Sequence, residues 1–328
     1  MLTNIIFVTL TVLIWSAADL AEAQQVKKIP HIGYLTGTFA SATPGRRDVF
    51  RQGLRELGYV EGQNLILVQR FADGKLERLP ELAEELVRLN VDIIVTAGLG
   101  PTRAAKAATT TIPIVMTNEG DPVGAGLVKS LARPGGNITG LSTLAPELNG
   151  KRLEILKEMV PKLSRVAVFR TSTQPGIAQI LKELDIAAKA LDIRLQYLDV
   201  LEHKHISRTF QAATKERAGG ALFIVAGAVV NEQRAQIAAL AVKSRLPVMY
   251  TGRAYVESGG LVTYGINTED LDRRAATYVD KILKGQKPGD LPIEQPMKFH
   301  FIINLRAAKG IDLTIPPNVL VRADRVIR

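Results

Sequence analysis

The chain has 328 residues, of which 46% are hydrophobic, 23% charged and 5% aromatic, with a formal charge of +10. That length suits about two domains of roughly 150 residues, and the apolar share argues for a packed core over a disordered chain. Zero cysteines and four histidines exclude disulfides, zinc–thiolate sites, iron–sulfur clusters, a cysteine nucleophile and a lipid-modified N-terminal cysteine, and leave little for a histidine-built metal centre.

Ile5 to Ala17 is an apolar run without a charge, followed by Ala21 and Ala23 in A-x-A spacing. Residues 1–23 read as a secretory leader, although no Lys or Arg precedes the apolar core. A membrane anchor is the alternative, but the run falls short of the roughly 20 residues a spanning helix needs. No second run of spanning length follows, so the mature chain is expected to be soluble and periplasmic, with cleavage near Ala23. The only tryptophan, Trp15, lies within this leader. Cleavage removes Asp19 and Glu22 and no base, which makes the mature chain more basic still. Its bases fall singly among acids, as Lys151, Arg152, Lys157, Lys162 and Arg165 do beside Glu154 and Glu158. Without a block of like charges they read as a solvated basic surface, and no nucleic-acid partner is expected.

Short β-rich runs alternate with helical patterns through the rest of the chain. Strands are expected at His31–Thr36, Asn64–Phe71, Asp92–Gly98, Ile112–Thr117 and Ile138–Thr143, and again at Arg165–Thr171, Arg194–Val200, Ala221–Gly227, Leu246–Gly252 and Leu261–Ile266. Between them lie amphipathic segments such as Leu76–Leu89, with Leu79, Leu82, Ala83, Leu86 and Leu89 at helical spacing. A long helix is expected over Glu147–Val160, and another after Thr263, capped near Asn267 or Thr268. Near-continuous apolar strands separated by helices indicate parallel sheets covered on both faces, an α/β fold.

The halves also resemble each other. Ile93-Ile94-Val95-Thr96-Ala97-Gly98, a helix and Ile112-Pro113-Ile114-Val115-Met116-Thr117 are echoed by Leu222-Phe223-Ile224-Val225-Ala226-Gly227, a helix and Leu246-Pro247-Val248-Met249-Tyr250-Thr251. Proline near a strand start is tolerated because only one ladder donor is lost. The recurrence predicts two Rossmann-like lobes: 24–143 with about 267–292, and 144–266 with about 293–328. Recrossing between lobes would let them close on each other.

In parallel α/β sheets ligands bind beyond the carboxyl ends of the strands. That rule selects the loops holding Thr36 and Phe39, Leu99, Gly100 and Thr102, Glu119 and Asp121, Thr173, Gly227, and Thr251 and Arg253. Their small polar groups suit hydrogen bonding to a compact solute, with Glu119, Asp121 and Arg253 placed to meet an amine and a carboxylate. Each has a structural alternative: Asp121 as a cap for a helix starting near Pro122, Arg253 as a partner of Glu257, the Gly, Ser and Thr residues as caps and turns. Phe39, in a loop, reads as facing a ligand; Tyr264, late in a strand, joins the candidate set with core or hinge packing as its alternative. Gly98-Leu99-Gly100-Pro101-Thr102-Arg103 echoes a dinucleotide fingerprint, but Arg103 stands where the third glycine is needed. No phosphate-binding lysine loop or nucleophile elbow is present, His203 and His205 alone make no metal site, and His31 and His300 fall in strands. No cofactor is expected.

Phe50-Arg51-Gln52-Gly53-Leu54-Arg55-Glu56-Leu57-Gly58-Tyr59-Val60-Glu61-Gly62, Arg133-Pro134-Gly135-Gly136-Asn137-Ile138-Thr139-Gly140 and Gly259-Gly260-Leu261-Val262-Thr263-Tyr264-Gly265 resemble the ABC-transporter substrate-binding proteins related to the TrpX tryptophan-binding group. So do Ala107–Val115 and the tail Asn304–Lys309, and the resemblance runs in order over 28–328. It implies a periplasmic-binding-protein type I fold with three crossing segments and a ligand cleft between lobes, and delivery of a small solute to an inner-membrane permease with its ATPase. The family's Asp-Pro-Val segment at the cleft is matched by Asp121-Pro122-Val123, and a Thr or Ser near the third strand by Thr102. Aromatic amino acids are the leading ligand expectation through the group's named member. An exported α/β enzyme and a sensory ligand-binding module are the competing readings.

Overall fold

The chain is described as a computed structural model covering residues 28–39, 44–143, 145–173, 176–225, 230 and 233–328. The expected leader and Gly227 lie outside the described residues. The apolar runs of the first half form β1 (His31–Thr36), β2 (Ile66–Phe71), β3 (Ile93–Ala97), β4 (Ile114–Glu119) and β5 (Ile138–Ser142). They make one parallel sheet in the order β2-β1-β3-β4-β5. Helices α1 (Pro44–Glu56), α2 (Leu79–Arg88) and α3 (Leu99–Ala108) cover it. Leu79, Leu82, Ala83 and Leu86 bury the α2 stripe against Ile94, Ile114 and Met116 on one face. Leu89, expected on that stripe, is 47% exposed because the helix ends at Arg88.

The second half forms β6 (Arg165–Arg170), β7 (Arg194–Asp199), β8 (Gly220–Phe223), β9 (Val248–Tyr250), β10 (Val262–Ile266), β11 (Phe299–Asn304) and β12 (Arg325–Ile327). Their order is β12-β11-β10-β9-β8-β6-β7. Read from its far edge, β7-β6-β8-β9-β10 repeats the order of the first sheet, so the sequence echo corresponds to a repeated topology. Helices α4 (Ala145–Met159), α5 (Ile177–Ala190), α6 (His203–Lys215), α7 (Arg234–Lys243) and α8 (Arg253–Glu257) belong to this part of the chain.

The chain does not stay in the second half. After β10 it enters α9 (Thr268–Leu283), capped by Asn267, whose side chain accepts from the Asp270 N–H. Leu271, Ala275, Tyr278 and Val279 of α9 pack with Phe50 and Leu54 of α1 on the other face of the first sheet. The chain then returns to β11, which pairs antiparallel with β10. This is the one departure from the parallel ladders expected, and it has a topological cause. The outgoing and returning segments lie together, the Asn267 N–H donating to the Lys298 carbonyl, so β11 must start where β10 ends. The first crossing joins them, since Leu141 and Glu294 form a parallel bridge.

Gly140 makes one local feature of this region possible. It sits in β5 at φ +131, and a Cβ there would lie 2.2 Å from the Met116 carbonyl oxygen. The register between β4 and β5 shifts between Met116 and Glu119, and such a bulge re-aims the end of a strand. Gly140→Ala should therefore destabilise the protein by more than about 3 kcal/mol, through strain and a backbone clash. A thermal melt should show the midpoint falling by about 6 °C or more.

Candidate functional site

A cleft of ≈ 730 Å³ lies where the carboxyl ends of the two sheets meet. The first half contributes Gly98 and Leu99 after β3, Asn118, Glu119, Gly120 and Asp121 at the end of β4, and Thr143 after β5. The second contributes Leu148, Asn149 and Arg152 of α4, Gly176, Ala178, Gln179 and Ile180 around the start of α5, Ile224 and Val225 after β8, and Thr251 after β9. Thr268 opens α9 at the same place. Leu99 nearly closes the gap, since a Cβ on Gly176 would meet its Cδ2 at 3.3 Å.

Two charged side chains at this cleft are buried. Arg152 is 5% exposed. Its Nε donates to the Tyr264 carbonyl at 2.6 Å and one Nη to Asn149 Oδ1 at 2.6 Å. No carboxylate answers its charge among the described residues. Burial without a counter-ion pulls its pKa down to about 10, because desolvation disfavours the charged form. The other is Glu119, 3% exposed. Its Oε1 accepts from the Gly120 N–H at 2.8 Å, while Oε2 is buried without a partner. Burial pushes its pKa up to about 7, opposed by the N–H groups of Gly120 and Asp121 and by Arg103, and reinforced by the charge of Asp121. A buried cation and a buried anion, each with unused hydrogen-bonding capacity, thus sit on one cleft. Burying an unpaired charge is costly: such groups are normally paired, or shift their pKa toward the neutral form as Glu119 does.

Of the residues singled out from sequence, Leu99, Glu119, Asp121 and Thr251 line the cleft. Asp121 also caps the segment after it, its Oδ1 accepting from the Gly124 N–H at 2.8 Å, but that segment is a turn and not the helix expected near Pro122. Tyr264 takes part through its carbonyl, while its ring stacks on Phe299 and meets Phe301 edge-on. Thr36, Phe39, Gly100, Thr102, Thr173 and Arg253 are not among the lining residues. The Thr36 hydroxyl is buried beside that of Thr38. Phe39 is 38% exposed and its ring lies over Gly74, because the loop after β1 is tied to the turn after β2 by the Gly74 N–H bonded to the Gly37 carbonyl. Gly100 faces Leu79 in the core, and Thr173 is exposed. Arg253 pairs with Glu269 at 2.6 Å, not with Glu257, which pairs with Arg325. The Arg253 pair sits in a small pocket of ≈ 80 Å³ beside the crossing segments, which adjoins the cleft through Thr251, Ile266 and Thr268.

The Thr102 hydroxyl is committed inside the fold, 2.8 Å from Thr96 Oγ1 and donating to the Gly98 carbonyl at 2.9 Å. Thr102→Val should lower stability by about 1–2 kcal/mol and leave solute affinity unchanged. Paired melting and titration measurements separate the two effects.

Arg152 corrects the sequence reading most sharply: its neighbours in sequence place it among the solvated bases, and it is buried. The signal lay in spacing. Leu148, Arg152, Ile155, Leu156 and Met159 fall at i, i+4, i+7, i+8 and i+11 of α4 and all are buried, so the arginine occupies the apolar stripe. Asn149, one turn earlier, holds it. Among the described residues no cluster of three or more His, Cys, Asp or Glu side chains could hold a metal ion, and no helix is long and apolar enough to cross a membrane.

Two sheet units of one strand order, joined by three crossings and facing each other across a cleft with charged groups at its floor, define a two-lobed solute-binding protein of the periplasmic type I fold. A family model described as ABC transporter substrate binding protein matches residues 42–327, and the chain belongs to that family. It is 26% identical over 264 residues to a tyrosine-binding protein of Clostridioides difficile, covering 80% of this chain and 75% of that one. A solved structure of a conserved domain protein from Vibrio cholerae superposes with a TM-score of 0.83 at 29% identity, over 91% of this chain and all (100%) of that one. A Streptococcus pneumonia ABC domain solved in complex with L-Trp gives 0.79 at 25% identity, over 90% and 100%.

Proposed function

We propose that the protein is the exported receptor of an ABC importer and that its ligand is a free α-amino acid, gripped at both ends of its zwitterion. The observation that carries this reading is the pair of incomplete buried charges on one cleft: Arg152 without a carboxylate and Glu119 with an orphan Oε2. An α-carboxylate would complete the guanidinium, and an α-ammonium would complete the carboxylate. Charge-assisted hydrogen bonds of this kind are about twice as strong as neutral ones. Relatives that bind tyrosine and L-Trp support the same ligand class.

In this reading the lobes are 24–143 with about 267–292 and 144–266 with about 293–328, and they close by rotation about the crossing segments. Glu119 belongs to the first lobe and Arg152 to the second, so a bound amino acid bridges them. To invert a 1:99 population of closed and open forms it must favour the closed one by about 5.5 kcal/mol. The closed form is recognised by a permease in the inner membrane, driven by its ATPase. The leader 1–23 is removed near Ala23 and the receptor acts in the periplasm, without changing its ligand chemically.

Mass spectrometry of the small molecule released on denaturing the purified protein should find an unmodified amino acid. The methyl ester and the N-acetyl derivative of that amino acid should both fail to bind. Recovery of a sugar, or full affinity for either derivative, would overturn the reading. Turnover of the recovered compound would favour the exported enzyme.

A further inference from the structure

Among the described residues no aromatic side chain lines the cleft, and the aromatic residues from 28 onward account for why. The fold spends its rings elsewhere. Tyr34 packs on Phe50 beneath the first sheet. Phe169, Phe210, Phe223, Tyr250 and Tyr255 form one continuous cluster under the second, with centroids 4.9–6.0 Å apart. Tyr264 stacks on Phe299 and meets Phe301 edge-on. Phe71 lies under Arg47 and Tyr197 under Arg170. Tyr59 and Tyr278 donate their hydroxyls to Asp280 and to the Pro292 carbonyl, and Phe39 covers Gly74. The positions from 28 onward that lie outside the described residues hold no aromatic residue in the sequence, so none of them can supply one either.

The apolar wall is instead built from branched aliphatic chains. Leu99 comes from the first half, and Leu148, Ile180, Ile224 and Val225 from the second, with Ile266 at a crossing segment. Ile224, Val225 and Leu148 are buried. Resting on the amino-acid reading above, we infer that the ligand carries an uncharged, aliphatic side chain, such as that of leucine, isoleucine or methionine, held by shape complementarity against this wall and not by stacking. An aromatic ring would find no π-face to meet here, losing the contribution that aromatic pairs make beyond their buried area. Branched or flexible aliphatic side chains lose nothing by the absence of such a face, and they interdigitate with Leu, Ile and Val at the density of a protein interior. The relatives known by aromatic ligands are 26% and 25% identical to this chain, a distance at which a side-chain wall can be rebuilt while the grip on the zwitterion is kept.

Calorimetric titration of ligand-stripped protein with L-leucine, L-isoleucine, L-methionine, L-phenylalanine, L-tyrosine and L-tryptophan tests this directly. At least one aliphatic amino acid should bind about ten-fold or more tightly than tyrosine and tryptophan. A smaller spread, or tighter binding of tyrosine or tryptophan, overturns the side-chain inference while leaving the zwitterion grip intact. Failure of every free amino acid to bind overturns the grip as well, which distinguishes the two failures. In the same panel Ile180→Phe should shift the ratio of tryptophan to leucine affinity toward tryptophan by about five-fold, since it installs the missing ring. An unchanged ratio removes Ile180 from the wall.

Discussion

Arg152→Met should weaken solute binding by the purified receptor at least about 30-fold while leaving the fold nearly as stable as before. Truncating one partner of a desolvated, hydrogen-bonded charge pair costs about 2–5 kcal/mol of binding, a loss of about 30- to 5,000-fold in affinity. On the stability side two opposing effects are of similar size. Loss of the guanidinium leaves Asn149 Oδ1 and the Tyr264 carbonyl without their donor, at about 1–3 kcal/mol each. Against this stands relief of the strain of a buried, uncompensated cation. Its pKa, drawn from 12.5 to about 10, corresponds to roughly 3 kcal/mol at 1.36 per pKa unit. The expected signature is therefore a melting temperature within a few degrees of the parent and a binding isotherm weakened to that extent. Arg152→Lys restores a charge but not the planar fork, and should recover only part of the affinity. A receptor that binds normally with methionine at 152 would remove the carboxylate anchor.

The second large effect is on pH. In the empty cleft the Glu119 pKa is pushed to about 7 by burial, and an α-ammonium needs the carboxylate form. Affinity should therefore rise about ten-fold per pH unit up to about pH 7 and level off above it. At pH 5 it should be about 100-fold weaker than at the plateau, and binding below pH 7 should release protons. Stability of the empty protein runs the other way. A carboxyl whose pKa is higher folded than unfolded binds more protons in the native state, so its contribution is fully present below about pH 4.5 and is lost as pH rises through about 7. The rise from 4.5 to about 7 corresponds to about 3 kcal/mol. Glu119→Gln should thus stabilise the empty protein at pH 8 by an amount of that order, weaken solute binding there, and flatten the pH dependence of affinity. Calorimetry in buffers of different ionisation enthalpy reads the proton release, and a flat affinity between pH 5 and 8 in the parent would exclude Glu119 from the ammonium site.

Both predictions depend on residues that differ greatly in how visible they were. Glu119 is legible in the sequence, because it stands just beyond an apolar strand expected to end at Thr117, at the carboxyl edge of a parallel sheet, the place where such sheets bind ligands. Its orphan oxygen is not. That depends on the bulge between Met116 and Glu119 and on Gly140, which alone lets β5 approach the Met116 backbone. By residue type Arg152 belongs with Lys151 and Lys157 on a charged exterior, and only its spacing says otherwise. Placing it on the Leu148–Met159 stripe would have identified a charge heading into the core.

The candidates that fell away from the cleft share a cause. Phe39 is held at Gly74 by a loop-to-loop hydrogen bond, and Arg253 reaches Glu269 sixteen residues ahead. Neither partner follows from local spacing.

Local chemistry was enough to establish the architecture: strand runs, helical stripes and the echo between the halves are encoded by neighbouring residues and survive any rearrangement of loops. The fold class, the recurrence of one unit in both halves and the carboxyl-edge location of the cleft follow from them. Which side chains share that cleft is a matter of contacts between residues far apart in the chain. Arg152 beside Tyr264, and an aliphatic wall drawn from Leu99, Ile180 and Val225, exist because the chain crosses between the sheets three times and brings those positions together, and no period or motif within one segment carries that information.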